Sequence, residues 1–121
     1  MLFPSGSWEV NENGKKAIVE LAKVLVQQSD IQIMVEGHTD NVPYRGTGLI
    51  KDNWDLSVMR ATAIVRILAN NKGLKANRIT AAGKGSHSPL VENNSNENRA
   101  INRRTEIILS PNMDKLMELL E

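Results

Sequence analysis

The chain has no cysteine among its 121 residues, which excludes disulfides, thiol nucleophiles and cysteine-ligated zinc. That absence leaves the compartment open. Aromatic residues are nearly as scarce, at 3%, so base-stacking platforms for single-stranded nucleic acid are not expected. An excess of one charge is also missing. Fifteen Lys and Arg face fourteen Asp and Glu, a net +1, and phosphate neutralisation has no basic surplus to draw on. No apolar run approaches the roughly 20 residues that span a bilayer. The stretch Met1 to Val10 lacks the basic start and apolar core of a signal peptide, so if the parent protein is secreted or anchored its export signal lies outside this sequence. What is present is ordinary for a globular domain, with 40% hydrophobic and 24% charged residues. A chain of this length buries about two-thirds of its unfolded surface, enough for one core without a metal or a crosslink.

Periodicity along the chain predicts alternating strands and helices. Met1 to Phe3 reads as a short first strand ended by the Pro4-Ser5-Gly6-Ser7 turn. Asn11 can cap a helix running to about Gln28, with Ile18, Leu21, Ala22 and Leu25 on its buried face. Ile31, Ile33 and Val35 alternate with polar or longer neighbours as a strand that Gly37 ends. Residues 38–52 have no period and carry Pro43, Gly46 and Gly48, a long loop of the kind that usually serves function. A second helix is expected from Asn53 to about Lys72, with Val58, Ala61, Ile64, Val65 and Leu68 inward and Gly73 as its left-handed stop. Arg78 to Ala82 reads as a strand leading into the Gly83-Lys84-Gly85 turn. Ser95 can cap a short helix through Asn102, and a last strand starts at Arg104, alternates through Leu109 and is closed by Pro111. Met113, Leu116, Met117 and Leu120 then mark an amphipathic tail helix, expected to pack on its own domain. The fold class is α/β (α+β), a mixed sheet covered by helices, with residues 1–110 as one domain and 111–121 as a terminal helix.

Three polar clusters interrupt this pattern: Gly37 to Asp40, Asn53 to Ala61, and Arg99 to Arg104. Catalytic readings of them are thin. A metal site built on His38 and Asp40 lacks further donors, because the other histidine, His87, sits in a separate loop. A triad of Ser57, His38 and Asp40 has no nucleophile elbow to support it. Asp40 and Asp55 could form a hydrolase pair only if they lined one cleft. His38 and Trp54 read as packing residues, and Arg104 as a salt-bridge or surface group. Recognition of a small zwitterion accounts for the same clusters better. An ammonium entering a cleft needs a carboxylate to offset its desolvation, and Asp40 sits in a loop suited to that. A ligand carboxylate is best held by a guanidinium fork, which Arg60 or Arg103 can offer. Asn53 and the first backbone N–H groups of the second helix would add donors.

The wording Glu36-Gly37-His38-Thr39-Asp40, then Asn53-Trp54-Asp55-Leu56-Ser57-Val58-Met59-Arg60-Ala61, then Gly83-Lys84-Gly85, then Arg99-Ala100-Ile101-Asn102-Arg103-Arg104-Thr105-Glu106-Ile107 resembles the OmpA/MotB C-terminal domain family. The likeness runs from Leu2 to about Leu109 with the motifs in family order. It implies a non-catalytic periplasmic module that binds peptidoglycan through the meso-diaminopimelate of the stem peptide, with no cofactor and no metal. Nucleic acid is not an implied partner. Under that resemblance Asp40 takes the ammonium and Arg60 the carboxylate. Thr39, Asn53 and Arg103 complete the cradle, and Leu56 and Ser57 contribute backbone N–H groups. The parent protein would be anchored in the outer membrane, or in the inner membrane if it is a flagellar stator, through a part that precedes this sequence. The Asn53 to Ser57 wording is nearer the stator branch. A homodimer through the tail helix is the alternative use of that helix.

Overall fold

A computed structural model describes Phe3, residues 6–46 and residues 48–121, with Lys115 and Leu116 described by backbone only. The expected strand over Met1 to Phe3 therefore lies outside the described residues, except for Phe3, whose side chain is buried. The first helix, α1, spans Glu12–Val26 and is capped by Asn11, whose Oδ1 accepts from the Gly14 N–H at 2.7 Å. Ile18, Ala22 and Leu25 form its buried face.

Among the described residues, strand β1 (Ile31–Gly37) is the middle of a three-stranded sheet. It pairs in parallel with β2 (Ile79–Gly83) and antiparallel with β3 (Thr105–Pro111). Helix α2 (Asn53–Ala69) makes the crossover between the parallel strands, as a parallel pair requires. Ile33 and Val35 of β1 join Ile18, Ala22 and Leu25 of α1 and Ala61, Ile64 and Leu68 of α2 in one core on a single face of the sheet. On the other face Met34 and its cross-strand partner Ile108 stay partly exposed.

Several elements differ from the expected ones, each with a local cause. Helix α2 starts at Asn53, as expected, and Asp52 caps it, its Oδ1 accepting from the Asp55 N–H at 3.0 Å. The helix ends at Ala69, and Gly73 has no positive φ, so it is not a left-handed stop; the Asn71 side chain accepts its N–H at 2.9 Å. Val58, expected inward, is 43% exposed, while Leu56 and Arg60 take the buried positions. Arg78 lies in a 3-10 turn (Ala76–Arg78) ahead of β2. Its buried guanidinium donates to the carbonyls of Ile31, Leu25 and Gln28, joining the end of α1 to the start of β1.

Helix α3 (Asn96–Asn102) is capped by Ser95, as expected. The tail helix α4 (Met113–Leu120) forms but does not pack as expected. Met113, Met117, Leu119 and Leu120 are all more than half exposed; the chain leaves β3 at Pro111, opposite Ile31, and the Asn112 N–H donates to the Asp30 carbonyl just before the helix.

One close approach positions everything that follows. A Cβ on Gly37 would lie 2.0 Å from the Ser57 carbonyl oxygen, and one on Gly83 would lie 2.5 Å from the Ser57 hydroxyl. These two glycines are register partners in β1 and β2, so the first turns of α2 rest directly on the strand ends.

Candidate functional site

Beyond Gly37 the chain is held across the end of the sheet by two backbone bonds. The His38 N–H donates to the Arg104 carbonyl at 2.8 Å, and the Thr39 N–H to the Gly85 carbonyl at 2.9 Å. These bonds carry Asp40 to the mouth of a cavity between the 39–44 loop and the start of α2. The cavity encloses about 70 Å³, or about 330 Å³ counted out to solvent. Thr39, Asp40, Asn53, Leu56, Arg60 and Arg103 line it, joined by Gly6, Val42, Pro43 and Tyr44.

Asp40 is 6% exposed and both its carboxylate oxygens are engaged. Oδ1 accepts from the Val42 N–H at 2.9 Å, an Asx turn, and Oδ2 accepts from Arg103 Nη1 at 2.6 Å. A carboxylate has roughly four acceptor sites, so a further donor can still be added. Thr39 Oγ1 donates to the Asp40 carbonyl at 2.8 Å. Because Asp52 does the capping, the Asn53 amide is left to bridge α2 to the loop, donating to the Val42 carbonyl at 3.0 Å.

Arg60 is 1% exposed, the largest fully buried side chain among the described residues. Its Nε donates to the Ser7 carbonyl at 2.8 Å, and its guanidinium carbon lies 5.4 Å from the centre of the Phe3 ring. Burial pushes its pKa below the ordinary arginine value; nearby Asp40 opposes that shift and Arg103 adds to it.

The remaining expected residues divide by what they touch. Leu56 lines the cavity with its side chain, but its N–H is spent on the Asp52 carbonyl at 2.9 Å and is not an open donor. Ser57 is fully buried and does not line the cavity. Its hydroxyl donates to the Trp54 carbonyl at 2.9 Å and accepts from the Gly85 N–H at 2.9 Å, locking the turn beneath the site. Arg103 and Arg104 both precede β3, which starts at Thr105 instead of Arg104, and their side chains diverge. Arg103 reaches Asp40, while Arg104 pairs with Glu106 at 2.9 Å and donates to the Ser88 carbonyl at 3.0 Å. Both are positioned by Asn102, which is fully buried and ties the end of α3 to Leu90, Val91 and Asn93.

The catalytic alternatives do not assemble. His38 is buried with Nε2 facing Glu36 at 2.7 Å and Glu106 at 3.1 Å, and Asp40 is not in that cluster. The three could hold a metal, but the Arg104 guanidinium already neutralises Glu106. Its Nδ1 is buried without a partner among the described residues, whereas a metal-bound histidine usually donates its other N–H to an oxygen. His87 stacks on half-exposed Trp54, with ring centres 4.7 Å apart. Asp55 accepts from the Lys51 N–H and does not line the cavity, where Asp40 is the one carboxylate among the described residues.

Sequence reasoning missed Val42, Pro43, Tyr44 and Gly6 as lining residues and the Ser7 carbonyl as a partner of Arg60. An aperiodic loop does not reveal which side chains face inward, and a main-chain acceptor has no residue signature. The lone tyrosine of the sequence, Tyr44, was the one available signal.

The OmpA family model matches residues 2–103 of the chain. Motility protein B of Bacillus subtilis is 33% identical over 111 residues, which cover 92% of this chain and 42% of that protein. The chain thus spans under half the length of this curated relative. A MotB-like protein from Desulfovibrio vulgaris superposes with a TM-score of 0.81 at 33% identity, over 91% of this chain and 67% of the other. The cell wall anchor of the T6SS from Pseudomonas aeruginosa gives a TM-score of 0.76 at 37% identity, over 88% and 72% respectively. Among the described residues no helix is long and apolar enough to cross a membrane.

Proposed function

The chain belongs to the OmpA family, and from that premise we propose that it is a non-catalytic module that anchors an envelope protein to peptidoglycan. In this reading the cavity holds the free end of the meso-diaminopimelate in the wall's stem peptide. Asp40 takes the ammonium and Arg60 the carboxylate. Thr39 and Asn53 shape the loop around them, and Leu56 supplies an apolar wall. The carrying observation is that a buried carboxylate and a buried guanidinium, twenty positions apart in sequence, line one solvent-open cavity. A zwitterion would set its ammonium beside the Asp40 carboxylate, which keeps acceptor capacity beyond Arg103 and Val42, and its carboxylate beside the Arg60 guanidinium. Relatives that include a motility protein and a cell wall anchor fit a periplasmic setting, with attachment to either membrane supplied by the rest of the parent protein. Residues 1–110 make up the binding module. Residues 111–121 are an appendage whose exposed apolar side chains would serve a second copy of the chain.

The test is co-sedimentation with purified sacculi. Asp40→Ala and Arg60→Ala should each weaken binding by about 30-fold or more, because each leaves an opposite charge of the ligand buried and unpaired. Circular dichroism should show both variants folded. Undiminished binding by the two folded variants would reject the reading.

A further inference from the structure

We infer that Arg103 makes the cavity selective for a ligand end bearing both an ammonium and an ionised carboxylate, so that amidated diaminopimelate and a plain lysine side chain are turned away. The inference rests on the proposed function and sharpens it from a residue class to a charge state. Three charged side chains line the cavity, Asp40, Arg60 and Arg103, a formal balance of +1. Asp40 does not await its first cation, since Arg103 Nη1 already lies 2.6 Å from its Oδ2. An ammonium arriving alone would share a neutralised carboxylate and raise the balance to +2 among side chains that are themselves mostly buried, where like charges repel more strongly than in water. A carboxylate arriving with it restores the original balance.

A carboxamide has nearly the same shape as a carboxylate, so the cavity cannot reject it by size. It fails on charge, and its NH₂ group sets a donor against the donors of a guanidinium. Sites built around a buried polar or charged contact discriminate well against analogues that lack it, because the protein's own group is left unpaired. Arg103 can take part in such an exchange. It clasps Asp40 through Nη1, while its Nε is buried without a partner among the described residues.

The experiment is calorimetric titration of three synthetic stem peptides, L-Ala–γ-D-Glu–X–D-Ala. X is diaminopimelate, diaminopimelate amidated at its free end, or lysine. The wild type should bind the first and bind the other two about 30-fold or more weakly. Arg103→Gln lowers the formal balance to zero and frees Asp40 for a lone cation, so it should narrow that gap about tenfold. Arg103→Lys, which keeps the charge, should preserve it. If the wild type binds acid and amide alike, the inference falls while the wall-binding reading stands. If it binds none of the three, both fall. An unchanged gap in folded Arg103→Gln removes the role given to Arg103. Should that variant fail to fold, the wild-type series still decides whether the cavity selects by charge.

Discussion

At the scale of single residues, Arg60 shows why a guanidinium occupies this position. Burial pushes its pKa down, but arginine starts so high that it stays protonated throughout the working range. A lysine there would begin near 10.4 and meet the same desolvation, so Arg60→Lys should acquire a pH dependence that the wild type lacks. The sign is opposite for binding and for stability. Binding needs the cation and should fall as pH climbs through the lysine's lowered folded-state value. Stability should rise between that value and the higher unfolded one, because the unfolded chain then holds more protons. Titrating affinity for sacculi on the alkaline side, beside urea unfolding at the same pH values, checks both signs. A flat binding profile for Arg60→Lys would show that the side chain is not held in a desolvated site.

At the scale of elements, the helices and strands were legible because their signals are local. Asn11 and Ser95 each sit where a cap is needed, and β1 alternates with period two. The errors arose where a tertiary contact outranked the local signal. Arg78 left the strand to satisfy three carbonyls, and Val58 stayed exposed because α2 is rotated to bury Arg60 and Leu56. Gly37 and Gly83 read in sequence as turn or strand-end punctuation, yet their larger task is to admit the first turns of α2. Gly37→Ala should therefore cost about 2–3 kcal/mol, since a methyl group 2.0 Å from the Ser57 oxygen forces α2 off the sheet. Deleting residues 113–121 should cost under about 1 kcal/mol, as the described apolar side chains of that segment are largely exposed. Paired urea melts would test the contrast, and a larger loss from the deletion would mean that α4 is part of the fold.

At the scale of the whole molecule, the cavity joins chain segments that no sequence window spans: residues 6–7, 39–44, 53–60 and 103. The charged members were legible because their chemistry is specific. The loop contributions were not, because the inward face of residues 42–44 is set by the Asx turn at Asp40 and by the Asn53 bridge, both products of folding. The arginine that faces the proposed ligand also grips the main chain at Ser7, so occupancy of the cavity and order in that segment are linked. Diaminopimelate should slow hydrogen exchange at the amides of Trp8, Glu9 and Val10, none of which lines the cavity, and unchanged exchange there would break the link. Such a link works in both directions. Tension drawn along this segment would reach the proposed ligand through the Ser7 carbonyl and the Phe3 ring, both held by Arg60, and a seated ligand would in turn brace the segment against the pull.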